Sequence, residues 1–195
     1  MKITSSTFIK SIAHANDIIN DNLPQVAFVG RSNVGKSSLL NYLVNNNKLA
    51  KTSSTPGRTR LINYFLINKN FYFVDLPGYG FQKGNKLESA DWHVLIEPFL
   101  ISNTNLKCIC LLVDGRHEPF DSDKQMLNYL SFYNIPFIII ATKCDKIPKS
   151  KQFSIKNNIA KVLSMGKDDI FLSSSISNLG KLEILTKLNQ LIGVN

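Results

Sequence analysis

One stretch of eight residues constrains this chain more than any other. The sequence Gly-Arg-Ser-Asn-Val-Gly-Lys-Ser occupies positions 30–37, after the apolar run 26–29 and before the helix-like segment 38–44. Strand, glycine loop and helix is the context in which the pattern GxxxxGK[ST] binds phosphate. Glycine lacks a Cβ, so the backbone comes close to an anion, and N–H groups of the loop and helix start point at its oxygens. An ordinary turn with a serine helix cap is the alternative.

Each position of this loop has an expected role. We expect Lys36 to neutralise the β- and γ-phosphates of a nucleotide and the Ser37 hydroxyl to ligate Mg²⁺. The remaining loop residues are expected to contact the nucleotide as well: Gly30, Arg31, Ser32, Asn33, Val34 and Gly35.

The chain of 195 residues is long enough for one α/β domain and short for two. Alternating strand and helix patterns predict a three-layer α/β fold with a mostly parallel, doubly wound sheet and one antiparallel strand. Residues 25–195 are predicted to form this single domain, with residues 1–24 packing on it. In that N-terminal segment Phe8, Ile9 and Ile12 are candidates for contacts at a sheet edge.

Periodicity and turn residues predict the individual elements. Asp121 or Ser122 is the expected cap of the third helix, and Pro98 is expected to kink the second. The predicted strands are 26–29, 62–67, 71–74, 108–113, 135–141 and 170–172, and the predicted helices are 36–46, a segment around 92–100, 121–132, 150–165 and 181–191.

Three further stretches lie where predicted strands end, and the carboxyl ends of parallel strands meet at one edge of a sheet. The first is Asp75, Leu76, Pro77 and Gly78. Asp75 is expected to hold a water on Mg²⁺, and the Gly78 N–H to sense a γ-phosphate. The same four residues also make a good turn with no ligand.

The second stretch is Thr142, Lys143, Cys144 and Asp145, which predicts recognition of a base. A carboxylate accepts two hydrogen bonds from guanine, whereas adenine offers neither donor on that edge. The Lys143 stem is expected to cover the ring while its ammonium stays solvated. A solvated basic turn is the alternative. The third stretch, Ser173, Ser174 and Ser175, is expected to support guanine O6 through a backbone N–H.

The charge of the chain indicates a second, larger anionic partner besides the nucleotide. The formal charge is +9, which favours RNA over a membrane surface, although a merely basic protein is the alternative. No apolar run is long enough to span a membrane, and the N-terminus lacks a signal peptide's apolar core. The three cysteines lack metal-ligand spacing and are interpreted as buried or incidental thiols of a reducing cytosol.

With these motifs the chain resembles the translation-factor-related GTPases, and in particular the EngB (YihA/YsxC) family of bacterial ribosome-assembly GTPases. The resemblance runs from about Pro24 to Ile192 and is carried by residues 30–41, 55–59, 75–80 and 142–145. It implies binding of GTP and GDP with Mg²⁺, slow GTP hydrolysis, and a cytoplasmic role in assembling the large ribosomal subunit, seen genetically as a cell-division defect. The expected partner is that subunit or its rRNA, with no membrane or DNA partner, and the protein is expected to be a monomer.

The resemblance also assigns the polar, basic segment 48–60 to switch I and residues 76–90 to switch II. Thr59 matches the threonine that closes on Mg²⁺ beside Ser37. Catalytic contributions are then expected from Lys36, Thr59, Gly78 and Asn33. Further nucleotide contacts are implied for Gly57, Arg58, Arg60 and Leu61.

Two positions depart from the pattern of many GTPases. Thr142 stands where asparagine is common, and its hydroxyl can make fewer of the bonds that tie the two loops together, so a weaker link and a modest nucleotide affinity are expected. Tyr79 stands where Ras-like proteins place a water-orienting glutamine. Slow intrinsic turnover is therefore expected, with an activator or an ion supplying what is missing. Asn33 could contribute a carbonyl oxygen to K⁺, as in related GTPases with this asparagine, or simply stabilise the loop.

Three functions remain open from the sequence alone. They are a GTP-hydrolysing switch that binds RNA or a ribosomal particle, a GTP-dependent recruiting module with negligible hydrolysis, and a small-molecule P-loop kinase, which would not need residues 142–145. Basic residues suggest rRNA contact along the carboxyl-end rim, although a solvated helix face explains some of them. They are Lys48, Lys51, Arg58 and Arg60 near switch I, and Lys146, Lys149, Lys151 and Lys156 after residues 142–145, which we call the base-binding turn.

Overall fold

The computed structural model of the chain describes residues 1–50, 61–79 and 92–193. Within these ranges the strands are β1 (Ser6–Ile12), β2 (Gln25–Gly30), β3 (Ile62–Ile67), β4 (Phe71–Asp75), β5 (Leu106–Asp114), β6 (Phe137–Thr142) and β7 (Ile170–Leu172). The α-helices of the described ranges are α1 (Lys36–Val44), α2 (Glu97–Ser102), α3 (Asp121–Phe132), α4 (Lys149–Leu163) and α5 (Lys181–Ile192).

All seven strands form one sheet, in the order β1-β3-β4-β2-β5-β6-β7. Strand β3 pairs antiparallel with both of its neighbours, β1 and β4. Every other pairing is parallel. The prediction of a mostly parallel sheet with one antiparallel strand is confirmed.

Helices cover both faces of the sheet. Helices α2, α3 and α4 pack on one face, where Phe99, Leu130 and Ile159 are buried. Helices α1 and α5 pack on the other, through residues such as Leu40 and Leu188. Strand β2 is buried along its whole length, as expected of a parallel strand covered on both faces. Its carboxyl end therefore opens only toward the edge where the predicted site residues lie.

The edge strand β1 was not predicted as a strand, and its pairing explains why. Its register with β3 shifts between Phe8 and Lys10, and such a bulge interrupts the alternation by which a strand is recognised. Ile12 is buried, but Phe8 and Ile9 stay about half exposed. The Phe8 ring lies 5.9 Å from that of Phe65 on β3.

The ends of two helices differ from the predictions. The cap expected at Asp121 or Ser122 is wrong: α3 begins at Asp121, and the Asp123 carboxylate reaches back to accept the Phe120 N–H at 2.9 Å. Pro98 lies in the first turn of α2, directly after a π-helical turn (Trp92–Ile96), so the helix changes from π to α next to the proline.

The three cysteines, Cys108, Cys110 and Cys144, are free and buried. Within residues 1–50, 61–79 and 92–193, no helix has both the length and the apolar character required to cross a membrane.

Candidate nucleotide site

The glycine loop runs from the end of β2 to the start of α1, and each of its two glycines is needed for a different structural reason. Gly35 has φ +106° and Asn33 has φ +64°, a left-handed conformation that glycine and asparagine adopt most readily. Gly30 is required by packing, since a Cβ there would lie 2.9 Å from Val34 Cγ1 and 3.0 Å from Leu112 Cβ. Val34 is buried and faces the core. The loop is therefore anchored to the core through Val34 and is open toward the edge of the sheet.

Lys36 and Asp75 meet at the mouth of this loop. The Lys36 ammonium contacts the Asp75 carboxylate, and each side chain is only 14% exposed. Asn63 Nδ2 lies 3.5 Å from the second carboxylate oxygen of Asp75. The phosphate contact expected of Lys36 therefore requires this ion pair to open or to be shared with the ligand.

The stretch after Asp75 lies directly against the glycine loop. The Ser32 N–H donates to the Tyr79 carbonyl at 3.1 Å, and the Tyr79 N–H donates to the Gly30 carbonyl at 3.2 Å. A Cβ at Gly78 would lie 3.1 Å from the Gly30 oxygen, so glycine permits this approach. Leu76 instead points into the core, and its N–H donates to the Phe28 carbonyl.

Tyr79 is an anchor and not a water-orienting group. Its ring is buried, and its hydroxyl donates to Asp123 Oδ1 at 2.9 Å. Burial, followed by the neighbouring Asp123 carboxylate, raises the pKa of Tyr79 well above its usual value. The tyrosine therefore stays protonated at neutral pH and ties the start of switch II to α3.

Arg31 turns toward the same part of α3. Its guanidinium lies 3.7 Å from the centre of the Phe120 ring, a favourable cation–π contact. Its Nε is buried and has no hydrogen-bond partner among the described residues. Burial raises the pKa of Asp123, while the Phe120 N–H, Tyr79 and Arg31 act in the opposite direction.

Thr142 links the base-binding turn to the glycine loop. Its Oγ1 lies 2.6 Å from the Val34 carbonyl and 3.2 Å from the Val113 carbonyl, and the residue is buried. A hydroxyl carries one proton, so the two carbonyls share a single donor, whereas an asparagine amide would offer two. This geometry gives a physical reason for the weaker link inferred from the sequence.

The ammonium of Lys143 also has partners within the protein, which the sequence did not predict. It donates to the Asn33 carbonyl at 2.6 Å and to Asp114 Oδ2 at 3.0 Å. Lys143 itself has φ +59°. The base-binding turn is thus joined to the glycine loop at a second point, through a charged group.

Asp114, at the end of β5, is a site residue that the sequence reasoning missed. It forms a two-point contact with Arg116, at 2.9 Å from Nε and 2.7 Å from Nη2. Burial pushes the pKa of Asp114 upward, but hydrogen bonds from Arg116 and Lys143 outweigh it and hold that pKa well below its usual range. Its position at the carboxyl end of a buried strand was the available signal.

Asp145 is oriented by the serine turn. The Ser174 hydroxyl donates to Asp145 Oδ1 at 2.8 Å and accepts the N–H groups of Ile176 and Ser177 at 3.1 and 3.0 Å. Cys144 does not face the pocket with its thiol, which is buried and lies 3.2 Å from the Ala141 carbonyl. Its N–H donates to the Ser173 carbonyl at 3.2 Å, so the two turns are held together by their backbones as well.

Of the serines 173–175, two already donate their backbone N–H groups to carbonyls of the protein. Ser173 donates to the Ala141 carbonyl at 2.7 Å and Ser174 to the Leu179 carbonyl at 3.2 Å. The predicted O6 contact would therefore fall to Ser175, which is exposed. Gly180 closes this turn with φ +81°, and a Cβ there would lie 1.9 Å from the Leu172 oxygen.

The predicted switch I contacts Gly57, Arg58, Thr59 and Arg60 lie outside the described residues. Leu61 and Pro77 are described and half-buried, and Ser37 is half-buried in the first turn of α1. The donors present fit Mg²⁺, which prefers oxygen ligands and keeps several waters, because a hydroxyl and a carboxylate flank the loop. The described ranges contain no cluster of three histidine, cysteine or acidic side chains, so nucleotide phosphates and water would supply most ligands.

These contacts bring a phosphate-binding loop and a carboxylate-bearing base pocket to one edge of a doubly wound sheet. That arrangement defines a P-loop GTPase domain. A family model described as "50S ribosome-binding GTPase" matches residues 25–143. The "Probable GTP-binding protein EngB" of Clostridium perfringens is 48% identical over 189 residues, covering 96% of each chain. Its counterpart from Pelotomaculum thermopropionicum is 45% identical over 196 residues, covering 100% of this chain and 99% of the relative.

Solved structures agree with this assignment. A crystal structure of a probable GTP-binding protein EngB matches with a TM-score of 0.66 and 25% identity, covering 87% of this chain and 98% of that one. Era bound to MgGDPNP and a segment of 16S ribosomal RNA has a similar fold, with a TM-score of 0.63, 23% identity, and coverage of 87% and 56%. The chain belongs to the EngB family of GTP-binding proteins, and it is a GTPase.

The bond between Ser174 and Asp145 gives a test of the base pocket. Removing the hydroxyl in Ser174→Ala releases the carboxylate and leaves two loop N–H groups without their acceptor. A hydrogen bond to a charged group is worth about 1.5–3 kcal/mol, so GTP and GDP should each bind at least ~10-fold more weakly. Fluorescence titration with labelled GDP and GTP measures both affinities.

Ser175→Ala is the matched control, because it removes a neighbouring exposed hydroxyl and keeps the backbone N–H. It should bind both nucleotides within about twofold of the wild type, since the hydroxyl it removes is exposed to solvent and its loss leaves no buried group unpaired. Equal affinities for Ser174→Ala and the wild type would show that Asp145 does not need this partner.

Proposed function

We propose that this protein is a GTP-driven switch in the cytoplasm that binds the large ribosomal subunit during its assembly. The observation that carries the proposal is the match of residues 25–143 to a family described as 50S ribosome-binding, in a chain whose glycine loop and base pocket are joined by direct hydrogen bonds. A defect in subunit assembly would limit growth and division, which is how the proposed role would appear in cells.

Nucleotide binding is proposed to act first on the contacts at the mouth of the glycine loop. Lys36 leaves or shares its contact with Asp75 to reach the β- and γ-phosphates, as lysine does in P-loop proteins. Asp145 accepts the guanine N1–H and NH₂, and Ser175 donates its N–H to O6. Mg²⁺, held by Ser37 and Thr59, would neutralise phosphate charge.

Switch II is the proposed sensor of the γ-phosphate. The Gly78 backbone already lies against the loop, so closely that a Cβ at this position would be 3.3 Å from the Ser32 nitrogen. A small movement therefore suffices for the Gly78 N–H to reach a γ-phosphate. The bonds of Tyr79 to Gly30, Ser32 and Asp123 would be the contacts that such a movement strains or breaks.

Hydrolysis is proposed to be slow without an activator. Tyr79 occupies the position after Asp75-Leu76-Pro77-Gly78, and its hydroxyl is committed to Asp123, so it cannot orient an attacking water from its observed position. This observation also favours the second candidate function, a GTP-dependent recruiting module whose turnover is negligible. Stimulation of multiple turnover by ribosomal subunits would separate the two functions.

The potassium role of Asn33 remains a prediction. Its left-handed backbone is a reason for asparagine that is independent of any ion, because asparagine tolerates this conformation better than most residues. If K⁺ assists, hydrolysis should be at least ~10-fold faster in KCl than in NaCl at equal ionic strength, the scale expected when a transition-state charge is neutralised. Equal rates in the two salts would leave Asn33 with the loop-stabilising role alone.

Co-sedimentation tests the proposed function directly. Purified large ribosomal subunits are pelleted with the protein in GTP, a non-hydrolysable GTP analogue or GDP, across a salt series. We expect association in the triphosphate states to exceed that in GDP, and to fall steeply with salt as counterions are released. Lys48→Glu combined with Lys51→Glu, at two basic positions near switch I that are not expected nucleotide contacts, should weaken association while nucleotide affinity stays within a few-fold. Association independent of the nucleotide would contradict the switch.

A further inference from the structure

Helix α4 follows the base-binding turn and carries an unusual concentration of positive charge. The segment from residue 146 to residue 167 contains six lysines and no acidic residue. Five of these lysines form no ion pair within the described part of the chain, whereas Lys146 lies 3.8 Å from Asp145. The five are Lys149, Lys151, Lys156, Lys161 and Lys167.

Four residues of α4 form a single row on its exposed side, which we call the α4 stripe: Lys149, Phe153, Asn157 and Lys161. They are spaced four apart, so they are neighbours along one helix face, and all four are exposed. The row is about 18 Å long at 1.5 Å per residue. It begins near the base-binding turn and extends away from the carboxyl-end rim.

Phe153 is the feature that packing does not explain. Its side chain is 88% exposed, while the buried face of α4 is formed by Ile155, Ile159 and Leu163. The helix is anchored without it, since Gln152 Nε2 donates to the carbonyls of Cys144 and Ile147 at 3.0 and 3.2 Å. The stripe is therefore held at a fixed position relative to the guanine pocket.

The chemistry of the stripe favours a flexible polyanion that also offers flat apolar rings. Unpaired ammonium groups attract phosphates, and an exposed phenyl ring stacks on any base, with each stack contributing substantially to binding. A membrane-binding helix would carry a broad apolar face, but Phe153 is the only large apolar side chain exposed on α4. An acidic protein surface would use the lysines and leave the ring unexplained.

We propose that the α4 stripe binds single-stranded RNA, with Lys149 and Lys161 at phosphates and Phe153 stacked on a base. The proposal rests on the proposed function in taking this RNA to be an unpaired segment of ribosomal RNA. It assigns part of the ribosome contact to a surface that is present whatever nucleotide is bound.

The test uses the full chain and a labelled twelve-nucleotide oligouridylate, with binding followed by fluorescence anisotropy. We expect Phe153→Leu to weaken binding at least ~5-fold, the lower end of what loss of one base stack causes. Lys149→Gln combined with Lys161→Gln should weaken binding further. It should also reduce the slope of log affinity against log salt concentration by the amount that corresponds to about two phosphate contacts. GTP affinity, measured in parallel, should be unchanged in each variant.

Two substitutions serve as matched controls. Phe132→Leu changes a phenylalanine on α3 that is 77% exposed, and Lys107→Gln removes an exposed charge at the start of β5, outside the α4 stripe. Both should bind the oligonucleotide within about twofold of the wild type, because surface changes outside a contact have small effects. A second probe, inorganic polyphosphate, should respond to the lysine variant and not to Phe153→Leu.

The outcomes separate this proposal from the proposed function. If the wild type fails to bind oligouridylate, or Phe153→Leu and Phe132→Leu behave alike, the stacking surface is overturned even when large subunits still pellet with the protein. If polyglutamate of equal charge displaces the RNA as well as RNA does, the stripe serves an acidic protein and the proposal is wrong. If the stripe variants lose oligouridylate binding while the wild type does not bind large subunits, the RNA-binding role of the stripe is supported and the proposed ribosomal function is wrong.

Discussion

The link between the glycine loop and the base-binding turn is the constraint on which the site depends. Thr142 and Lys143 reach across the edge of the sheet to the carbonyls of Val34 and Asn33. These bonds fix the separation between the phosphate cradle and Asp145, so a ligand must match both at once. Buried polar groups require hydrogen-bond partners, and the buried Thr142 hydroxyl finds one in a carbonyl of the glycine loop. The two halves of the site are therefore stabilised together.

Much of the fold was predictable because its signals are local. Continuous apolar runs predicted the buried strands β5 and β6, and asparagine and glycine residues marked the ends of helices and turns. The third helix was predicted with its observed bounds, 121–132. The bulged edge strand β1 was missed, because its pairing shifts within the strand and so leaves no clean alternation.

The contacts that the sequence could not provide are those between distant side chains. Asp114 and Lys143 are brought together only by the pairing of β5 with β6, so this ion pair could not be predicted from the local sequence. The same holds for Tyr79 and Asp123, which meet because switch II crosses toward α3. These contacts explain why Tyr79 replaces a water-orienting residue: in this structure it joins three elements around the glycine loop.

Asp145 is proposed to read guanine from a turn fixed to the glycine loop, and the substitution Asp145→Asn tests this role. The new amide can still accept the hydrogen bond that Ser174 donates to Oδ1, so the pocket is preserved while its hydrogen-bonding preference changes. GTP affinity should fall by at least ~100-fold, and xanthosine triphosphate should bind more tightly than GTP, because the amide donates to the carbonyl that replaces the guanine NH₂. Competitive titration of the two nucleotides measures this preference, and an unchanged preference for GTP would show that Asp145 does not read the base.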